Sequence, residues 1–545
     1  MNDQAAFSWE CYVFSGLRDF SSWFSKLECA FQDLRHKYRY DVRGQTIRVW
    51  SVQNPPIRTS NPRVTYQDGL QFRRVALAHK ADFLCVGVNA MRVFFEDGAQ
   101  TPTSYSTHEL FPGGGLPPVL RHEAVISEIS RLIDYLNRVL KDLSLEKYAA
   151  PTVVNVADAL CYRFGDENKD LKDLTGGQGF SKNLLQLVRT SKAFESATVQ
   201  IGVATGLCSR PDIAMVIARN VVSVLRSWGA SGSYLELSSG DALETFAKNG
   251  GSNIVLLPLD GRQGDRPHQN AIDWMTYLNE CQVPFQICST SSNPSYSQHG
   301  LGTAILAKCG GVLFNIESSG LRSESGHWFI GLDLGRAGQS ADRLVTLSLT
   351  DSSGDLKGYW RCLKNKTESL SNDALMNGLR WIRDLAGSVD SRKDFVLLRD
   401  GICPRDEPYA TYRKAMESTQ FTLVEVVKRG NPLMHQGMGQ PSAGTLVMPA
   451  HADWSFLYPV SSPQRGVIGQ SLKFRAVING IDLSPKDLAT KLVELCHAPT
   501  LSFQPSNIPA PIQWSNGLCK LSHTDLQYAG WSHLPNKTVD LRGQY

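Results

Sequence analysis

From residue 197 onward the chain alternates short apolar runs with amphipathic stretches, and this alternation limits its folding more than any other feature. The runs 198–204, 253–257 and 284–288 are rich in Val, Ile and Leu and read as buried strands. The stretches 211–228, 268–281 and 297–309 carry apolar residues at helical spacing, the first with a proline in its opening turn. Strands apolar throughout and separated by helices need cover on both faces, which a parallel sheet clothed in helices provides. The spacing therefore predicts a Rossmann-like α/β unit.

A second α/β pattern follows. A strand is expected over 328–334, a hairpin over 343–350 and 358–363, a helix over 371–386 and a strand over 395–399. Two acids stand at strand ends: Asp333 in Phe329-Ile-Gly-Leu-Asp-Leu-Gly335 and Asp400 in Phe395-Val-Leu-Leu-Arg-Asp-Gly401. A carboxylate at the end of a buried strand is costly unless it is solvated, paired or metal-bound. Two on neighbouring strands would repel unless a cation lay between them, and Mg²⁺ takes such oxygen ligands. Each aspartate alone also fits a turn residue after a strand. Together, in the order strand–Asp, hairpin, helix, strand–Asp, they describe an RNase H-like nuclease core.

The N-terminal region reads as mixed α+β. A helix is expected over 20–34, strands over 45–52, 73–78, 82–88 and 91–95, and a Pro/Gly loop over 111–118. An amphipathic helix over 123–143 carries Val125, Ile126, Ile129, Leu132, Ile133, Leu136 and Leu140 at spacings of three and four. Cations interleave with aromatics in Arg35-His-Lys-Tyr-Arg-Tyr40, with Arg43 and Arg48 beyond. That pattern suits phosphate contact with stacking, and equally a solvated surface. Lys428-Arg429 and Lys473-Phe-Arg475 form further basic clusters.

Composition excludes several classes. With 545 residues, 42% hydrophobic and 20% charged, the chain is neither disordered nor fibrous. A net charge of +4 means that nucleic-acid contact must come from local clusters. The apolar runs are far shorter than the ~20 residues of a membrane span. The 12 cysteines form no CxxC pair, so neither a zinc ribbon nor a disulfide scaffold is indicated. With no apolar leader in MNDQAAFSWE, a cytoplasmic setting is expected. Gly176-Gly-Gln-Gly-Phe-Ser-Lys182 lacks P-loop spacing.

Gly331-Leu-Asp-Leu-Gly335, Leu398-Arg-Asp-Gly401 and the late run Leu495-Cys-His497 with Asn507-Ile-Pro-Ala-Pro-Ile-Gln-Trp-Ser-Asn516 resemble the PIWI domain of Argonaute proteins. The segment before them resembles the MID domain, and the likeness covers roughly residues 197–535. It implies a prokaryotic-type Argonaute of reduced length, with PAZ absent. Its parts would be an N-terminal α+β region over 1–150, N/linker-like or partner-docking, a connector over 151–196, a Rossmann-like MID domain over 197–318 and an RNase H-like PIWI domain over 319–545.

The resemblance also implies roles. Asp333 and Asp400 match the family's catalytic aspartates, Glu368 its glutamate, and Asn516 its variable fourth ligand, around Mg²⁺ or Mn²⁺. Asp333, Asp400 and Asn516 would hold the metal, and the product would carry a 5′ phosphate. Gln286 and Lys308 match residues that hold the guide 5′ end. The family's upstream Tyr and Lys are replaced by Asn270 and Trp274. Either His268 and Arg266 serve instead, or the guide carries a different 5′ group. The expected partners are a short guide RNA or DNA and a complementary target, the expected role defence against invading DNA. The alternative is a catalytically silent guided module that activates an effector subunit.

Overall fold

The computed structural model describes residues 7–540 except 16–21, 60, 76, 78–84, 97–98, 100–101, 104–121, 142, 166, 171–173, 175–179, 250–252, 261–267, 292–293, 319–325, 337–342, 365–370, 391–393, 405–406, 438, 461–469, 499–504 and 521–533. The chain divides into two compact units, one of residues 1–156 with 427–475, the other of 157–426 with 476–545.

In the first unit an antiparallel sheet runs in the order Tyr38–Arg43, Thr46–Ser51, Val64–Val75, Cys85–Glu96, Cys11–Ser15, Ser144–Lys147. Its centre is a hairpin of two 12-residue strands, Val64–Val75 and Cys85–Glu96. The expected strands over 73–78, 82–88 and 91–95 are pieces of that hairpin. Helices Trp23–Asp33 and His122–Val139 contribute Leu27, Phe31, Ile129, Leu132 and Leu136 to one buried cluster with Ile47, Phe72 and Val88. The helix expected over 123–143 is thus present, its apolar stripe turned inward. Lys37 stacks on the Tyr135 ring at 3.8 Å, and Arg39 and Arg43 are exposed. Arg48 is buried and pairs with Asp41. Lys473 and Arg475 flank the Trp454 ring at 4.2 and 4.5 Å.

The second unit holds both expected α/β patterns. Four parallel strands run in the order Ser231–Glu236, Thr198–Val203, Asn253–Leu259, Phe285–Ser289. Asn253–Leu259 is buried along its whole length, as a central parallel strand must be. Helices Pro211–Ser227, Gly240–Lys248, Gln269–Glu280 and Pro294–Lys308 follow the strands in turn. The order reverses beside Thr198–Val203, which puts a topological switch point between it and Asn253–Leu259.

The other sheet runs Asn536–Asp540, Leu356–Lys364, Arg343–Thr350, Trp328–Arg336, Asp394–Asp400, Gln420–Val427. Trp328–Arg336 is antiparallel to Arg343–Thr350 and parallel to Asp394–Asp400. The alternation of strand side chains decides what each face meets. Trp328, Ile330 and Leu332 face a core with Leu347, Trp360 and Leu397 and with Leu375, Leu379 and Ile382 of helix Asn372–Val389. Gly331, Asp333 and Gly335 face the other way, toward helix Ala510–Lys520.

Candidate active site

Register places the two aspartates. Trp328 lies opposite Phe395 and Leu332 opposite Arg399. One step further along sets Asp333 beside Asp400, on strands about 4.8 Å apart and on the same face of the sheet. The row continues from Asp333 to Thr346 and from Thr346 to Arg361. Asp333 is buried, Asp400 half-buried and Arg361 wholly buried.

Helix Ala510–Lys520 covers this face because glycines let it approach. A Cβ on Gly331 would stand 2.0 Å from the Pro511 carbonyl oxygen, so no other residue fits there without moving the helix. Further along, the Gly335 N–H donates to Cys519 Sγ at 2.7 Å, and the Cys519 thiol donates to the Leu344 carbonyl at 2.9 Å. Burial, then the Asp333 charge, pushes the Cys519 thiol up to about 12, so it stays a neutral donor. Four strand residues from Gly331 to Gly335 span about 13 Å and eight helical residues from Pro511 to Cys519 about 12 Å. The helix therefore runs alongside the strand, with Ser515 and Asn516 level with Asp333. The Ser515 hydroxyl donates back to the Pro511 carbonyl at 3.0 Å. Asn516 is half-buried.

The side chains expected to form the site on these elements are two carboxylates and an amide, all oxygen donors of the kind a hard cation such as Mg²⁺ prefers. Among the described residues no three His, Cys, Asp or Glu side chains come together to hold a metal. Glu368, the third carboxylate expected from sequence, lies outside the described residues.

The turn after Asp400 is heavily braced. Gly401 adopts φ +83° and its N–H donates to the Val426 carbonyl at 2.8 Å. Arg399 Nη1 donates to the carbonyls of Asp400 (3.1 Å) and Ile402 (3.0 Å). The same guanidinium makes a two-pronged pair with buried Glu407, 3.0 Å on each prong. Although burial alone would lower it, Glu407 keeps the Arg399 guanidinium firmly protonated.

In the parallel sheet, Lys308 is buried and its ammonium donates to the Phe285 carbonyl at 2.6 Å, next to Gln286. Burial pulls its pKa down to about 7, with the Cys309 charge opposing. The Gln286 side chain donates to the Ile287 carbonyl at 3.1 Å. Lys308 also lines a cleft of about 680 Å³ with Glu195, Asp351, Asp355, Lys357 and Trp514. Burial, then the Asp351 charge, raises the Asp355 carboxyl to about 7.

His268 stands at the carboxyl end of the same sheet. Its Nδ1 accepts the Ala271 N–H at 3.3 Å, capping helix Gln269–Glu280. Its Nε2 therefore carries the proton and donates to the Leu207 carbonyl at 3.0 Å. Arg266 lies outside the described residues; Asn270 is exposed and Trp274 half-buried. Sequence reasoning passed over Asp260, at the switch point, which accepts the Ser209 N–H (2.7 Å) and the Thr290 hydroxyl (2.8 Å). The Ser209 N–H, foremost, holds its carboxyl below the usual range. An acid directly after the apolar run ending at Leu259 was the available signal.

No family model matches this sequence, and no curated protein does. Solved structures do. The chain is similar to Marinitoga piezophila Argonaute in complex with 5′ OH guide RNA and target DNA (TM-score 0.63, 11% identity, 93% of this chain and 86% of that one). It is also similar to Drosophila Piwi (TM-score 0.64, 11% identity, 94% and 85%). A third likeness is to A. aeolicus Argonaute (TM-score 0.54, 13% identity, 95% and 96%). Among the described residues no helix is long and apolar enough to cross a membrane. Taken with the in-register aspartates and the two α/β sheets, these matches show that the chain has the Argonaute–Piwi fold.

Proposed function

We propose that the protein binds a short guide strand and through it a complementary target, and that it cuts the target by cation-assisted phosphodiester hydrolysis. One observation carries the cleavage half: the register of two neighbouring parallel strands sets Asp333, within its strand, beside Asp400, the last residue of the next. Asp333, Asp400 and the Asn516 amide would hold Mg²⁺ or Mn²⁺, with Glu368 as the third carboxylate. Bound there, the cation would activate a water and neutralise charge on the leaving oxygen. Asp333 is buried on the helix-facing side of its strand, and Asp400 is half-buried at the end of the next. Asn516 adds an oxygen without adding a further negative charge. Base pairing to the guide selects the target, while the protein senses backbone shape and phosphates.

The guide 5′ end is the place where a second reading has specific support. Lys308 turns its ammonium inward to a carbonyl, titrates near neutrality and shares its cleft with Glu195, Asp351 and Asp355. That setting grips a phosphate weakly. A 5′-hydroxyl guide fits it better, and the Marinitoga protein is solved with a 5′ OH guide RNA. The setting we infer is defence against invading DNA.

The test uses purified protein with short RNA and DNA guides and labelled targets. The expected result is retention of complementary but not mismatched target, with Mg²⁺- or Mn²⁺-dependent cutting that Asp333→Ala removes while guide binding survives. Guide-dependent retention without cutting in the unaltered protein would leave the catalytically silent module that signals through an effector. No retention of any short strand would remove the guided reading.

A further inference from the structure

We propose that Arg399 and Glu407 are positioning residues that set the geometry of Asp400 for its cation; this rests on the nuclease reading above. Asp400 is the last residue of its strand, where a ladder normally frays. The chain then turns through Gly401 at φ +83°, a left-handed conformation that glycine adopts readily. Strand alternation sends the Arg399 side chain to the opposite face from Asp400. From there one guanidinium nitrogen holds the carbonyls on both sides of Gly401, at 3.1 and 3.0 Å. The remaining nitrogens of the fork are spent on both oxygens of Glu407. Glu407 is itself fixed: its N–H donates to the Pro404 carbonyl at 3.0 Å and it accepts from the buried Tyr412 hydroxyl.

A second acid holds the far side of the turn. Glu425 lies opposite Arg399 in register, and its carboxylate accepts the Cys403 N–H at 2.8 Å. The turn 400–403 is therefore tied at Asp400, Gly401, Ile402 and Cys403, and two of the four ties run through the Arg399 fork. A planar five-donor group is needed for that; lysine, a single point charge, cannot hold two carbonyls and a carboxylate together. Ions buried at this depth are an expensive way to stabilise a fold, and a hydrophobic pair would serve stability as well. Aiming a ligand is the role that justifies their chemistry, as outer-shell partners do for metal-binding carboxylates elsewhere.

The experiment is a Mn²⁺ titration of the full chain, free Mn²⁺ followed by electron paramagnetic resonance, with thermal melting and guide binding measured on each variant. Four variants are compared: Asp400→Asn, Glu407→Gln, Arg399→Lys and Gly401→Ala. The last adds a Cβ that meets Arg399 Nη1 only at an ordinary contact distance of 3.8 Å, so it disturbs the turn through the positive φ of position 401 and leaves both buried charges in the chain. Asp400→Asn is expected to abolish the site. Glu407→Gln, Arg399→Lys and Gly401→Ala are each expected to weaken Mn²⁺ about tenfold to a hundredfold at temperatures where the variant is folded and holds guide. If Asp400→Asn loses Mn²⁺ while folded Gly401→Ala and Glu407→Gln bind it as the unaltered protein does, the clamp is structural only and the proposal fails, the metal site standing. If Asp400→Asn binds Mn²⁺ unchanged, the nuclease reading fails and the clamp with it.

Discussion

The two sheets of the second unit treat their polar residues in opposite ways. In the sheet of Asp333 and Asp400, one acid lies within its strand and the other ends the next, and strand register alone makes them neighbours. In the parallel sheet, Lys308, Gln286 and His268 spend their polar atoms on the protein's own backbone, at Phe285, Ile287, Ala271 and Leu207. A site made by register is set as soon as the strands pair. A site made by long side chains depends on where each chain turns, and here the described ones turn to backbone groups of the protein itself. On the proposed reading the first arrangement is the chemical centre, and the second is a pocket whose grip on a charged ligand has to be won from existing hydrogen bonds.

The largest effect should come from the register-built site. Asp400→Ala is expected to slow guide-directed cutting by on the order of a thousandfold or more, the scale of losing one preorganised charge-stabilising group, with guide affinity unchanged in a filter-binding assay. Next, Gly331→Ala drives a methyl into the Pro511 carbonyl and should cost about 3 kcal/mol of stability, read by denaturant unfolding. An unchanged midpoint would mean that the Ala510–Lys520 helix does not bear on the Asp333 strand as described.

Smaller effects belong to the parallel sheet. A 5′-phosphorylated guide should bind no more than about tenfold better than its 5′-hydroxyl counterpart at pH 7.5, since a charge-assisted contact to half-titrated Lys308 is worth little more. The sign of its pH dependence follows from burial. Lys308 is cationic below about 7 and neutral above it, so whatever preference for phosphate exists should fade between pH 7 and 9, where the phosphate itself stays dianionic. A preference that holds or grows across that range would place the phosphate elsewhere. Smallest of all, Asn516→Ala should raise the Mg²⁺ concentration for half-maximal cutting by about threefold to tenfold, because a neutral donor is lost and both carboxylates remain.

Much of this was legible in the sequence, and the contrast between the sheets explains which part. Strands 328–334 and 395–399, the hairpin and the helix between them announce themselves by apolar period, and the acids by ending the runs. Ser231–Glu236 escaped notice because an exposed edge strand reading SGSYLE has no apolar run to show. Helix Gly240–Lys248 is short and depends on the Ser239 side chain that caps it. The long hairpin in the first unit shows only as fragments because Asp68 stands in the inward row of Val64, Tyr66, Leu70 and Phe72 and interrupts the apolar alternation. The grouping of residues 427–475 with the N-terminal region is a tertiary fact with no local signature. Asn516 was readable as a residue type, but its level beside Asp333 follows only from how closely Gly331 and Gly335 let the helix approach. The inward turn of Lys308 could not be read at all, since spacing says nothing of side-chain direction.

The most direct measurement maps products from a guide-loaded protein on a complementary labelled target with Mg²⁺ or Mn²⁺, the unaltered chain beside Asp333→Ala. The account predicts cutting at one position fixed by the guide, leaving a 5′ phosphate, and none from the variant although it still holds guide and target. Equal cutting by Asp333→Ala would contradict it.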